Sequence, residues 1–221
     1  VNSFLGQNLK QKLLGIKEEV YDISFRPNNL EAFKKEFIEL INSNEISCIY
    51  ICGGSQLTSD KIADISDLVE SNIYLPTFIA AFINENSLNI SLFHFGSSWQ
   101  YDDKNDFSPF NLYASTKHSA ESMLEHYAME GVKIASIRLF DTYGPEDSRP
   151  KLVNLIANAV KNNEHLNMSS GEQVINLVHI HDVIEGIMAT RKMLEQSFDE
   201  KLVKVSLKSL EPIRVKNIIS V

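Results

Sequence analysis

Three apolar runs, each ending in small or hydroxylated residues, constrain this chain most. Ile46-Ser-Cys-Ile-Tyr-Ile-Cys52 runs into Gly53-Gly54. Ile90 to Phe95 runs into Gly96-Ser97-Ser98-Trp99, and Ile134 to Phe140 runs into Asp141-Thr-Tyr-Gly-Pro145. A strand that is apolar throughout, rather than on alternate residues, is covered on both faces, and that is the habit of parallel sheets. Between the first two runs and ahead of them lie helical patterns. Residues 29–43 carry Leu30, Phe33, Phe37, Ile38 and Ile41 as one stripe, which predicts a helix that covers the sheet. Residues 58–86 read as a further helix. The predicted class is α/β, with helices at 152–163 and 183–195 and strands at 20–24, 46–54, 88–95, 134–140 and 202–206.

A second pattern sits between the later two strands. Asn111-Leu-Tyr-Ala-Ser-Thr-Lys117 contains Tyr-x-x-x-Lys, followed by good helix formers from Ala120 to Glu125. A spacing of four places Tyr113 and Lys117 on one helix face, one turn apart. An ammonium beside a phenol favours the phenolate, so Lys117 is expected to lower the Tyr113 pKa and fit it for proton transfer near neutrality. Taken alone the motif is common, and an ordinary surface lysine beside a half-buried tyrosine would account for it. Its company is more specific. A hydroxyl pair at a strand end, Ser97-Ser98, precedes it, and a second strand follows, which is the layout of a site on a parallel sheet.

The bulk properties exclude several alternatives. The 221 residues carry a formal charge of −8 with no basic cluster, so nucleic acid is not an expected partner. Cys48 and Cys52 share one face of a strand, too poorly disposed for a disulfide, and are expected to be buried thiols. No apolar run has membrane length, and the expected location is the cytoplasm. His179 and His181 alternate without a third ligand nearby, so no metal site is expected.

These blocks, taken in order, resemble the extended short-chain dehydrogenases/reductases, specifically the NAD(P)-dependent epimerase/dehydratase family that acts on nucleotide sugars. The resemblance runs from Phe4 to about Val205 and includes Arg138-Leu-Phe-Asp-Thr-Tyr-Gly-Pro145 and Val178-His-Ile-His-Asp-Val183. It implies a Rossmann-type doubly wound parallel sheet, with an NAD(P)-binding domain over residues 1–145. Residues 146–221 would supply a small substrate-binding portion and the last sheet strand. It implies a catalytic set of Ser97, Tyr113 and Lys117, and NAD or NADP as cofactor. Gly6 matches the last glycine of the phosphate loop, Asp22-Ile23 the pair that meets the adenine, Gly53 and Gly54 the small residues beside the nicotinamide ribose and phosphates, and Asn72 a supporting, cofactor-side asparagine in the helix behind the catalytic residues. Ser98, Trp99, Asp141, Arg149 and Lys151 are implied substrate contacts; Asp141 departs from the family's usual Asn. Where the family has an arginine for the nucleotide diphosphate this chain has Ile175, which leaves Arg149 or Arg191 as substitutes. The family pattern also has a strand and two further glycines ahead of Gly6 and a longer C-terminal lid, so a segment at each end is expected to be missing from the chain as it stands.

In the dehydratases of this family an Asp-Glu pair follows the triad hydroxyl. Ser98 and Trp99 stand there in this chain, so dehydration is disfavoured. The local blocks are similar to the branch that includes abequose- and paratose-type synthases, which reduce a nucleotide-linked 4-keto sugar for surface polysaccharide. The resemblance thus implies a 4-ketoreductase of O-antigen biosynthesis, with an epimerase, or a non-catalytic cofactor-binding scaffold, as the alternatives. It also implies a homodimer paired through the Tyr113 helix; the stripe Ala120, Leu124, Ala128 suits that pairing and suits packing on the sheet equally.

Overall fold

A computed structural model describes residues 3–102, 104, 106–197 and 200–219. Asp103 and Asn105 lie outside the described residues. Four parallel strands form the central sheet: β1 (Cys48–Ile51), β2 (Ser91–Ser97), β3 (Ile134–Leu139) and β7 (Leu202–Leu207), in that spatial order. Two short parallel strands, β4 (Asp141–Tyr143) and β6 (Leu177–His179), pair beside it, and β5 (Val174–Ile175) pairs antiparallel with β8 (Ile213–Arg214).

Helices cover both faces. On one side α1 (Phe4–Gly15) and α7 (Ile180–Gln196) bury Leu9, Leu13, Val183 and Ile187 against Phe93, Phe95, Ala135 and Ile137. On the other, α2 (Leu30–Ser43), α4 (Leu75–Glu85) and α5 (Leu112–Met129) bury Phe33, Phe37, Ile79 and Leu124 against Leu92 and Ile134. The split follows from the period-two alternation of β2: Phe93 and Phe95 point one way, Leu92 and His94 the other. The apolar runs predicted a parallel sheet covered on both faces, and the doubly wound arrangement is the one the family resemblance implied.

Three expectations need correction. No strand forms at 20–24. Val20 and Ile23 of that stretch, and Phe25 just after it, are partly buried against the core, but the segment has no ladder partner among the described residues, so they pack without sheet hydrogen bonds. Strand β1 is not fully buried: Cys48, Ile49 and Tyr50 are half-exposed. The sheet order puts β1 at an edge, paired only with β2. Cys48 and Cys52 are correspondingly free thiols of intermediate burial. The helix expected at 58–86 is broken into a 3-10 turn at Ile62–Asp64, α3 (Ile65–Val69), a π turn at Glu70–Tyr74, and α4. Pro76 at the start of α4 has no N–H to return to the preceding turn, and the wide turn absorbs that break.

Helix α5 is the element that delivers the site. Asn111 caps it, its side-chain oxygen accepting from the Ala114 N–H at 2.9 Å. Ala120, Leu124 and Ala128 are at most 5% exposed within the single chain. That stripe is therefore used in packing on the sheet.

Candidate active site

A cavity of ≈ 480 Å³ opens at the C-terminal ends of β1, β2 and β3, where a parallel sheet offers its crevice. Ser97 enters from the end of β2, and Tyr113 and Lys117 from the first turns of α5. Gly53 and Gly54 follow β1, and the N-terminus of α1 closes one wall with Ser3 and Phe4. The structure thus brings Ser97, Tyr113, Lys117, Gly53, Gly54, Arg149 and Lys151 into one space.

Ser97 is held from both sides of its backbone. Its Oγ accepts the Trp99 N–H at 3.3 Å, and its own N–H donates to Gln100 Oε1 at 2.6 Å, as in a capping box around the short turn Ser98–Gln100. Because Oγ is already an acceptor toward the backbone, its proton is directed elsewhere. A hydrogen bond between Ser97 and Tyr113 pulls the phenol pKa down, but burial outweighs it and the net shift is upward. The expectation that Lys117 would lower the Tyr113 pKa does not hold in this structure. Instead burial acts on Lys117 too, bringing its ammonium from 10.5 to about 8.

Asn72, on the π turn, donates from Nδ2 to Ser55 O at 3.0 Å and to Thr116 Oγ1 at 3.1 Å. Its Oδ1 is buried with no hydrogen-bond partner among the described residues. A Cβ built on Gly54 would stand 2.7 Å from that Oδ1 and 3.3 Å from Lys117 Nζ. Glycine at 54 therefore keeps open a gap walled by one acceptor and one cation. Next to this gap, His94 on β2 is fully buried with neither ring nitrogen paired among the described residues. Burial, assisted by Lys117, holds it neutral with a pKa of about 3.

The remaining implied residues fall in different places. Gly6, Asp22 and Ile23 line a separate cavity of ≈ 200 Å³ along the open edge of β1. Gly6 sits inside α1, where its N–H donates to Ser3 Oγ at 3.1 Å, and Asp22 is ion-paired with Lys10. Trp99 lies at the surface, edge-on to Tyr113 with centroids 6.4 Å apart and tilted against Phe110 at 5.3 Å. Ser98 occupies the turn beside it. Asp141 begins β4 next to the cavity wall, its carboxyl raised by burial and partly drawn back by Lys151.

Arg149 faces the cavity with its fork already engaged. Nε donates to Asp147 Oδ1 at 2.6 Å, one terminal nitrogen donates to Asp147 Oδ2 at 2.8 Å and to Thr142 O at 3.0 Å, and the guanidinium lies 4.6 Å from the Phe4 ring centroid. Arg191 is no substitute: it pairs with Glu18 and Glu195, away from this cavity. Lys151 is the less committed cation of the wall. Burial and the neighbouring Arg149 push its pKa down.

The NAD dependent epimerase/dehydratase family model matches residues 1–204. The chain belongs to that family. A curated relative, the CDP-abequose synthase of Yersinia pseudotuberculosis, is 32% identical over 132 residues, covering 59% of this chain and 46% of the relative. The match thus spans less than half of that protein's length. Among solved structures, MoeE5 in complex with UDP-glucose and NAD superposes with a TM-score of 0.81 at 15% identity, over 99% of this chain and 77% of that one. A UDP-glucuronic acid 4-epimerase from Bacillus cereus, with NAD, gives 0.77 at 19%, over 99% and 78%. At such identities the likeness is one of fold, and it places this chain's parallel sheet among the Rossmann-like architectures.

The nicotinamide dinucleotide is this family's cofactor, and the residues here fit part of one. The N-terminus of α1, a helix of 12 residues with no acidic side chain in its first turn, faces the cavity and suits an anionic phosphate. The Gly54 gap, the orphaned Asn72 Oδ1 and the Lys117 ammonium suit a hydroxylated ribose. The pair implied for the adenine, Asp22-Ile23, is not in this cavity.

Reading the sequence left Gln100, Glu121 and His94 unmarked. Two signals were available for the first pair. Ser97-x-x-Gln100 is the spacing of a capping box, and Glu121 continues the stripe of fours from Tyr113 and Lys117.

Proposed function

We propose that this chain carries the catalytic apparatus of a nucleotide-sugar 4-ketoreductase, which reduces the 4-keto group of a nucleotide-linked deoxy sugar destined for surface polysaccharide. The observation that carries the reading is the meeting of Ser97, Tyr113 and Lys117 in one cavity, with burial keeping the Tyr113 phenol protonated. A protonated phenol is the starting state of a proton donor. The similarity to a CDP-abequose synthase supports the same direction.

A bound dinucleotide supplies the hydride. The chain's own residues do the rest. Ser97 turns its hydroxyl proton from the Tyr113 oxygen to the carbonyl oxygen and orients it. Tyr113 gives its phenolic proton to that oxygen as negative charge develops, so the ketone carbon gains a hydride and its oxygen a proton. Lys117, charged below about pH 8, holds the cofactor ribose. Lys151 faces the substrate diphosphate. Ser98 and Trp99 supply no acid–base pair for dehydration, and Trp99 with Phe110 offers an apolar face at the rim.

The test is nicotinamide absorbance on mixing protein and NADH or NADPH with a panel of nucleotide 4-keto-6-deoxy sugars, beside Tyr113→Phe. Cofactor oxidation that is lost in the variant is the expected result. A changed sugar without net oxidation would replace the reading by epimerisation, and no change in either would remove the catalytic reading.

A further inference from the structure

Behind Ser97 lies a buried polar chain that takes no part in the chemistry proposed above. Gln100 is fully buried and bridges two elements. Its Oε1 accepts the Ser97 N–H at 2.6 Å, and its Nε2 donates to Glu121 Oε2 on α5 at 2.9 Å. Glu121, itself 5% exposed, also accepts from Tyr101 OH at 3.3 Å and meets Lys204 Nζ of β7 at 3.1 Å. Tyr101 is in turn fixed beneath the Arg138 guanidinium, 3.7 Å from its ring centroid, and its hydroxyl meets His118 Nδ1 at 3.2 Å.

Two features show that this chain is directional. An ionised carboxylate only accepts, so Glu121 compels the Gln100 amide to present its NH₂ and leaves the carbonyl oxygen for Ser97. And Gly96 has no side chain: a Cβ there would stand 2.5 Å from Gln100 Oε1. The backbone is thus cleared at the one point where the carboxamide must close on Ser97.

We propose that Gln100 and Glu121 are positioning residues that set the Ser97 hydroxyl. With its N–H clamped by Gln100 and its Oγ accepting from Trp99, Ser97 is held so that its hydroxyl proton points to Tyr113 and to the substrate oxygen beside it. The same clamp withdraws the Ser97 amide from the site, so a developing oxyanion is met by the Ser97 and Tyr113 hydroxyls and not by that backbone N–H. This inference rests on the reading of Ser97 as the group that holds the substrate oxygen.

The experiment has one arm that needs no turnover. Amide hydrogen exchange of the segment 95–101 is measured in the wild type, Gln100→Met, Gln100→Glu, and the double variant Gln100→Glu/Glu121→Gln. The double variant exchanges carboxamide and carboxylate and keeps both the acceptor for the Ser97 N–H and the amide–carboxylate link between 100 and 121, while Tyr101 OH and Lys204 lose the carboxylate they met at 121. Slow exchange at Ser97 in the wild type, lost in both single variants and regained in the double variant, is expected. Unchanged protection in Gln100→Met, or no recovery in the double variant, would overturn the clamp, whatever the enzyme's substrate.

The kinetic arm uses the keto-sugar assay. Gln100→Met should lower kcat by about tenfold, less than the loss of a whole oxyanion donor, with KM little changed. In a Ser97→Ala background the same change should lower kcat no further, because Gln100 acts only through Ser97. Independent, multiplying losses would show a general structural role and refute the proposal. A wild type that turns over no substrate, yet shows the exchange pattern above, would leave the clamp standing and remove the 4-ketoreductase reading alone.

Discussion

Replacing Lys117 by methionine should make this protein more stable while it destroys the site. Burial brings the Lys117 pKa from 10.5 to about 8, a gap of about 2.5 units. At about 1.4 kcal/mol per unit, keeping this ammonium charged in the folded state at pH 7 costs roughly 3 kcal/mol relative to the unfolded chain. Methionine keeps the unbranched stem and deletes the charge. The ceiling on the gain is therefore about 3 kcal/mol at pH 7, which for a chain of this size corresponds to a rise in Tm of roughly 6–12 °C. The sign with pH is also determined. Below pH 8 both states hold the proton and the cost is constant. Between about pH 8 and 10.5 the unfolded chain binds a proton that the folded chain lacks, so wild-type stability rises with pH and the cost fades. Urea denaturation of wild type and Lys117→Met, run side by side from pH 7 to 10.5, isolates this effect, since every other titrating group is common to both. The advantage of the variant should be largest at pH 7 and shrink above pH 8. A variant no more stable than wild type at pH 7, or an advantage that stays flat through pH 10, would refute the burial argument.

Two further outcomes follow from the site geometry. Gly54→Ala should weaken nicotinamide dinucleotide binding by about tenfold in a fluorescence titration, because its Cβ would push into Asn72 Oδ1 and crowd Lys117 Nζ; that corresponds to about 1.4 kcal/mol. Lys151→Met should raise KM for a nucleotide sugar by about tenfold or more with kcat nearly kept, the pattern of lost uniform binding, whereas Arg191→Met, outside the cavity, should leave KM unchanged.

How much of this was legible beforehand can be traced residue by residue. Strands β2 and β3 and helix α5 were readable because each has a long unbroken pattern, and the positions of Ser97, Tyr113 and Lys117 came with them. The stretch at 20–24 failed for the opposite reason. Its apolar residues are few, and a strand also needs a neighbour to pair with, which local composition does not reveal. Gly6 and Asp22-Ile23 were assigned by resemblance alone, and they stand in a different cavity from Tyr113. The direction of the Tyr113 shift was misjudged because spacing reports a nearby cation and says nothing of desolvation, which prevails at this depth. Arg149 looked like an available cation; that Asp147, two residues before it, would occupy its fork depends on the loop's path.

One feature of the sheet bears on how the enzyme is made. Strand β7 pairs with β3 over Ile134 to Leu139 and brings Lys204 to Glu121. During synthesis, Ser97, Tyr113 and Lys117 leave the ribosome about a hundred residues before Lys204 does. A nascent chain can therefore hold Ser97, Tyr113 and Lys117 long before the carboxylate behind them has its counter-ion. Glu121 is therefore made well before its counter-ion, and its burial is completed only once β7 has joined the sheet.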